Sequence, residues 1–461
     1  MKRLFLILGL LILAGGLIWG LKALGHPKSA APDYVAGELL VQFKPGVTSE
    51  QAKRLISKAG AAVKEKIDPQ GIYVVTLPGG VSVPQMVSLF QQMPEVNFAE
   101  PNAVHKLSDL EIRNGAASFS RSQDLDIFLP SEAWAVGEPL GEGAKVTVAV
   151  IDSAMDSTHP ALAGKVVTGY NFLNNSSNTQ SRGAGSDWHA TAVAGRVLEG
   201  AGDANVQIMP LVVANSSGSA STVDIVKAIN YAVDKGVQVI NMSLGGYTYT
   251  ESMKQAVDRA VSKGILVVAA AGNNNTSQAT YPAAYEGVIA TASTNEDGLK
   301  SSFSNYGSWV NISAPGDQME LLNHGGGTRM GAGTSFSSPF ITGMLAMLKS
   351  AFPTLTAADA ESIMMAKSNN VDARNPAYTG LLGKGFLNFI DVRNWMIDIR
   401  NGTFFLPWQE GGSLPPDQLP GGGGGTTPSS GSGAPLTWLV RGKGHVGTFV
   451  LTPAGDVAQQ K

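Results

Sequence analysis

The chain has 461 residues, 33 Lys plus Arg against 36 Asp plus Glu, a formal charge of −3 and no cysteine. The missing thiols exclude disulfide scaffolds, cysteine-held metal centres and a cysteine nucleophile, and the small net charge gives no electrostatic footprint for nucleic acid. Hydrophobic residues at 43%, charged residues at only 15% and 55 glycines describe an apolar, strand-rich chain, of about three units at ~150 residues each.

Met1, Lys2 and Arg3 precede an uncharged run from Leu4 to Leu21, ended by Lys22. A cleavable signal carries an apolar stretch of about 7 to 15 residues and a span needs about 20, so this run falls between the two. Cutting after Ala31 would leave Pro32 downstream, and cutting after Ala30 would place Lys28 where a small residue is wanted. Residues 1–31 therefore read as a signal peptide or a retained signal anchor. Either way the basic start stays inside, and the rest is exported, secreted or held at the membrane through residues 4–21.

Residues 34–106 form a small α+β pattern. Strand character at Gly37 to Phe43, a helix from Thr48 to Lys58 stopped by Gly60, and strands near Ala61 to Lys66 and Ile72 to Leu77 come first. A helix from Pro84 to Met93 and an edge strand from Val96 to Ala99 complete a β-α-β-β-α-β order, the ferredoxin-like split βαβ arrangement.

From Gly143 the character changes. Val146 to Ile151 is an apolar run suited to a strand buried on both faces. Thr222 to Lys235 has apolar residues at helical spacing and leads through Gly236 into a strand from Val237 to Leu244. Glu251 to Lys263, Gly264 and Ile265 to Ala271 repeat the theme. Such alternation predicts an α/β fold with a parallel sheet flanked by helices, whose ligands sit beyond the carboxyl ends of strands. Farther on, Gly411 to Pro435 holds nine Gly and five Pro and reads as the core of a linker over 396–435. Residues 436–461 read as a tail, with a hairpin around Gly442-Lys443-Gly444. The string Gly442-x-Gly444-x-x-Gly447 matches a dinucleotide fingerprint, but the 14 residues after it leave no room for a βαβ unit.

Four residues carry chemistry. Asp152 ends the first apolar strand in "VAVIDSAMDSTHPAL", where a buried carboxylate needs a partner. His189 heads "HATAVAGRVL", and a helix amino terminus disfavours imidazolium and keeps a histidine available as a base. Ser335 follows Gly331 and Gly333 at the head of an apolar helix, with Pro339 expected in the first turn, where N–H groups lack intrahelical acceptors. Asn273 follows "ILVVAAAG" and can aim an amide donor at the same place.

The strings "VAVID", "HATAVAG", "INMSLGG", "VVAAAGNNN" and "GTSFSSP" resemble the subtilisin-like serine proteases, whose order is Asp, His, Ser. The resemblance extends to "GELLVQFKPG" and "VNFAEPN" of their propeptide and to "GKGFLN" near residue 385. It implies Ser335 as nucleophile, His189 as proton carrier, Asp152 as the group holding the imidazole, and Asn273 with the Ser335 N–H as oxyanion hole. It also implies Ser243, Leu244, Gly245 and Gly246 as one wall of the substrate pocket, Ala270, Ala271 and Gly272 as the other, and Thr280 at the floor. A side chain at Thr280 predicts a shallow pocket favouring small or medium residues. Residues 34–106 become an inhibitory propeptide, cut by the enzyme itself between His105 and Ser122, and 107–395 the catalytic domain. Protein or peptide substrates and the chain's own propeptide are the implied partners.

The usual Asp-Thr-Gly reads Asp152-Ser153-Ala154, His-Gly-Thr-His reads His189-Ala190-Thr191-Ala192, and Ser-Met-Ala reads Ser335-Phe336-Ser337, without loss of a catalytic atom. No cofactor is required. Relatives bind structural Ca2+, but the loop Asn171 to Ser186 has no Asp or Glu, so no Ca2+ site is assigned. A lipase would need Gly-x-Ser-x-Gly, which Ser337 breaks. A metallopeptidase would need clustered ligands, whereas the six histidines, His26, His105, His159, His189, His324 and His445, are scattered. His159 reads as structural or pocket-rimming and His324 as solvent-exposed. The non-enzymatic alternative is a catalytically impaired peptide-binding protein on the same fold.

Overall fold

The computed structural model describes residues 33–108 and 143–354, most of those from 356 to 387, residue 392, and strand segments between 436 and 460. The chain divides into two compact units, one running to Lys66 and resuming over Tyr73–Ala103, the other comprising Ile67–Ile72 and everything from Val104.

In the first unit the order is β1 (Tyr34–Phe43), α1 (Ser49–Lys58), β2 (Ala62–Ile67), β3 (Ile72–Thr76), α2 (Val83–Gln91) and β4 (Val96–Leu107). The sheet order is β4-β1-β3-β2, as expected of the split βαβ arrangement. Helix α1 starts at Thr48, whose Oγ1 accepts the Gln51 N–H at 3.2 Å while Gln51 Oε1 accepts the Thr48 N–H at 2.8 Å. This reciprocal box satisfies two donors that the first turn leaves without partners. Leu39, Val41, Ile56, Val75 and Phe90 close the core between sheet and helices. Strand β4 overruns the expected Val96–Ala99. Its first part pairs antiparallel with β1, Val41 facing Ala99, and its last residues find other partners described below. Pro101 and Lys106 hide that continuity in the sequence, because Pro removes a ladder donor and Lys carries no apolar signal.

The second unit is built on a nine-stranded sheet. Its strands are β5 (Val146–Asp152), β6 (Tyr170–Asn171), β7 (Val206–Val212), β9 (Val239–Met242), β11 (Leu266–Ala270), β12 (Val288–Thr294), β13 (Ile312–Pro315), β16 (Ser368–Asn369) and β17 (Phe386–Leu387). Short strands β8 (Ser219–Ser221) and β10 (Leu244–Gly245) and the hairpin β14 (Met319–Leu322) and β15 (Thr328–Gly331) lie outside it. The order is β16-β17-β13-β12-β11-β9-β5-β7-β6. All neighbouring pairs are parallel except β16 with β17. Strand β5 is flanked by β7 on one side and β9 on the other, so the order reverses at β5. Asp152 thus ends the strand where an open α/β sheet opens a crevice.

Helices α3 (His189–Ala201), α4 (Thr222–Asp234), α5 (Glu251–Ser262) and α6 (Thr334–Ala351) pack around the sheet. Helix α6 is buried from Thr334 to Ser350 and lies against α3. Glycine permits that closeness: a Cβ at Gly343 would stand 2.1 Å from Val197 O, and one at Gly200 would stand 2.1 Å from Phe340 O. In the tail, Leu436–Gly442 and His445–Leu451 form the expected hairpin, to which Val457–Gln460 adds a third strand.

Candidate active site

Asp152 and His189 meet at the carboxyl end of β5, both fully buried. His189 Nδ1 lies 2.8 Å from Asp152 Oδ1, and the same oxygen accepts the Ser153 N–H at 2.6 Å. The Ser153 hydroxyl instead donates to Ser186 O at 3.1 Å and accepts from Ala190 N at 3.2 Å, which ties β5 to the first turn of α3. Asp152 Oδ2 has no donor among the described residues. The imidazole is enclosed by Trp188 and Phe336, with ring centroids at 5.8 and 5.6 Å.

Ser335 is the second residue of α6. Pro339 stands sixth in that helix, beyond the first turn expected for it, so the proline removes the N–H that would pair with Ser335 O. The Ser243 hydroxyl takes the vacated place, donating to Ser335 O at 2.9 Å, and Asn241 Nδ2 donates to Ser243 Oγ at 3.0 Å. The Ser243 side chain therefore points into the base of the helix that carries Ser335, and this residue faces the cleft through its backbone.

Across the cleft, Asn273 is held by Thr334, whose N–H and hydroxyl both reach Asn273 Oδ1, at 3.0 and 2.9 Å. With its oxygen engaged, the amide has its NH2 free to aim elsewhere. The wall Ala270-Ala271-Gly272 is kept in shape by Asn305, which donates to Ala271 O at 2.9 Å and accepts from Asn274 N at 2.9 Å. Gly272 has φ +99°, and a Cβ there would stand 2.5 Å from Asn305 Nδ2. Thr280, 4% exposed, donates to Ala271 O at 2.7 Å, and its methyl faces Gly272.

The end of β4 occupies this cleft. Within the second unit, Leu107 and Lys106 pair antiparallel with Leu244 and Gly245, while Lys106, His105 and Val104 pair antiparallel with Ser219, Ala220 and Ser221. Ser108 N donates to Ser243 O at 3.1 Å. Ser108 O lies 2.5 Å from Ser335 Oγ and 2.5 Å from Asn273 Nδ2. A carbonyl oxygen thus sits between a hydroxyl and an amide donor, and an extended segment is added as a strand to exposed edges.

Asp152 is brought to His189, Asn273 and Ser335 converge on the Ser108 carbonyl, and Phe336, next to Ser335, lies against the His189 ring. Sequence reasoning missed Thr334, Asn305 and Arg196, whose roles depend on partners far along the chain. The Arg196 guanidinium is buried, donating from Nε to Phe336 O at 3.1 Å and from Nη2 to Pro315 O at 3.3 Å, with Glu199 as ion-pair partner. His159 is structural: its Nδ1 accepts from Ala161 N at 3.1 Å and its Nε2 meets Gly327 O at 3.0 Å. His324, expected in solvent, is only 36% exposed and lies 3.6 Å from Asp156 Oδ2. Hydrogen bonds from Thr158, Gly325 and Gln180 hold the Asp156 carboxyl down at about 2 against the opposing effect of burial. Among the described residues no cluster of three His, Asp or Glu could hold a metal ion, and no helix is long and apolar enough to cross a membrane. The run Leu4 to Leu21, the linker and residues 109–142 lie outside the described residues.

Comparison with known proteins bears on this arrangement. Residues 143–385 match the subtilase family, and residues 23–102 match the fervidolysin amino-terminal prodomain. A thermophilic serine proteinase of Bacillus sp. (strain AK1) is 34% identical over 334 residues, covering 70% of this chain and 80% of that protein. Thermitase of Thermoactinomyces vulgaris is 39% identical over 224 residues, 48% of this chain and 78% of that one. The crystal structure of fervidolysin from Fervidobacterium pennivorans, a keratinolytic enzyme related to subtilisin, shares the fold with a TM-score of 0.65 at 23% identity. That likeness covers 84% of this chain and 63% of the other, less than two thirds of its length. The chain belongs to the subtilase family and is a subtilisin-like serine peptidase with a fervidolysin-like amino-terminal prodomain.

Proposed function

We propose that this peptidase is exported and cuts internal peptide bonds of proteins through Ser335, His189 and Asp152. Ser335 Oγ attacks the scissile carbonyl, His189 Nε2 accepts its proton and returns it to the leaving amine, and Asp152 holds Nδ1–H so that Nε2 keeps its lone pair. Asn273 Nδ2 and the Ser335 N–H stabilise the oxyanion. In subtilisin, losing one such donor costs about 10²–10³ in rate, a magnitude carried over to Asn273→Ala. One observation carries the reading: the Ser108 carbonyl oxygen lies 2.5 Å from both the hydroxyl and the amide. Catalysis requires no cofactor; structural Ca2+ stays unassigned. The walls Ser243 to Gly246 and Ala270 to Gly272 hold extended substrate, and Thr280 restricts the pocket floor, so cleavage after small residues exceeds cleavage after bulky aromatics in a peptide library.

Residues 34 to about 106 act as the intramolecular inhibitor and are removed by self-cleavage. The basic start and the run Leu4 to Leu21 direct export, as cleaved signal or retained anchor, and immunoblotting the extreme amino terminus in membrane and soluble fractions separates the two. The decisive test of the chemistry is covalent labelling of the matured protein by a fluorophosphonate. Ser335 is expected to label and a His189→Ala variant not to. Absence of labelling in folded, matured protein would overturn the protease mechanism and leave peptide binding.

A further inference from the structure

We infer that the bond between Ser108 and Asp109 is the maturation bond, and that the His105 side chain, seated in a closed pocket that offers it one hydrogen-bonding group, sets the register in which it is presented. The inference rests on the reading of Ser335 as nucleophile and adds which bond that nucleophile meets first and why.

The residues leading to Ser108 alternate as a strand clamped on both edges must. His105 is fully buried, Lys106 is exposed and Leu107 is 6% exposed. Main-chain pairing fixes spacing but not register, because a ladder slipped by two residues makes the same bonds. Discrimination must come from side chains that fit one position only. Leu107 packs over Gly218, where any apolar side chain would serve. His105 is more demanding. Its Nε2 lies 2.9 Å from Thr222 Oγ1 at the head of α4, and its Nδ1 faces Gly246, where a Cβ would come within 3.0 Å of the ring. The pocket thus admits a flat ring with a polar edge and is closed by a glycine. A slip by two residues would offer it Ala103 or Leu107, neither of which can reach Thr222 with a hydrogen-bonding group. With His105 seated, the third residue after it is Ser108, whose carbonyl is the one between Ser335 and Asn273.

The cut then balances simply. Ser335 Oγ bonds to the Ser108 carbonyl carbon, the bond to the Asp109 nitrogen breaks, and the hydroxyl proton passes through His189 to that nitrogen. Water hydrolyses the ester, leaving a Ser108 carboxylate and a free Ser335 hydroxyl.

The test uses the full chain, reading by mass the carboxyl end of the released amino-terminal fragment and by sequencing the start of the mature body. The expected ends are Ser108 and Asp109. Ser335→Ala maturing to the same products would overturn the nucleophile itself. Serine-dependent maturation with a first cut elsewhere would overturn only the bond assigned here. For the register, one alanine inserted after Lys106 is expected to keep the cut three residues after His105, so that the body starts at Ser108; a cut still before Asp109 would overturn the anchoring role. Should that variant not fold, mature enzyme is given a peptide of residues 103–114 and the same peptide with His105→Ala. About a tenfold lower kcat/KM for the second is expected from the lost burial and hydrogen bond, and equal cleavage would overturn the anchor.

Discussion

The two sides of the cleft are held by different forces. On one side α3 and α6 meet through glycines, and the carbonyls of Ser335 and Phe336 accept hydrogen bonds from the buried side chains Ser243 and Arg196. On the other, β8 and β10 grip the segment Val104 to Ser108 through main-chain bonds and one buried imidazole. The first arrangement cannot be undone without opening the core. The second must come undone for turnover. Packing positions the reacting atoms, and reversible strand pairing positions what reacts.

The largest expected effect comes from the helix contact. Gly343→Ala places a methyl 2.1 Å from Val197 O and 2.6 Å from Ala201 N, so the helices must part. The expected cost is about 3 kcal/mol in denaturant unfolding and roughly 10² in kcat, since ~1 Å of misplacement has that effect. Full activity with lowered stability would show that the helices need not touch to align His189 and Ser335. Arg196→Met takes a side-chain donor from Phe336 O and Pro315 O and the ion-pair partner from Glu199, for a loss of about 1–3 kcal/mol. As a positioning residue it should lower kcat with KM nearly unchanged, and Arg196→Lys should restore part of kcat; a rise in KM alone would contradict this.

A subtler test lies at Ser243. Ser243→Ala should cost about 1–3 kcal/mol by orphaning Ser335 O, and Pro339→Ala in the same chain should recover part of it by supplying the missing N–H. Strictly additive losses in a double-mutant cycle would break the link between that proline and that serine.

On the strand side the effect follows pH. Burial alone lowers His105 from 6.5 to about 4, so the seated ring is neutral. The released segment takes up a proton near 6.5, whereas the seated one does so only near 4. Docking is therefore at full strength above about pH 6.5 and weakens by up to about tenfold per unit as pH falls toward about 4. Dissociation of the cut fragment from processed enzyme, followed by fluorescence between pH 7 and 4, should show this slope, and His105→Phe should flatten it.

Much of this was legible in the residues themselves. Asp152 ends a strand, His189 and Ser335 stand at the heads of helices and Asn273 follows a strand closely, and both kinds of boundary are marked by local signals such as apolar runs, glycines and small residues. Both α/β patterns could be read for the same reason. Less visible were features whose meaning lies in a distant partner. Pro339 looks like an ordinary first-turn proline until Ser243, 92 positions from Ser335, is seen to replace its donor. Thr334 is one of many threonines until its hydroxyl meets Asn273. Strand β4 stopped short on paper because Pro101 and Lys106 speak against a buried strand, and only pairing with Ser219 to Ser221 and Leu244 to Gly245 extends it.

Complete burial of Ser335 and His189 while the segment ending at Ser108 is in place has a temporal consequence. Cutting one bond does not by itself expose the hydroxyl, so a molecule already cleaved stays silent toward an outside electrophile until the strand departs. Band shift on a gel and uptake of a fluorophosphonate then report two separate clocks. The lag between them measures how long a finished product guards the enzyme that made it, and that dwell time decides when the first foreign substrate is touched.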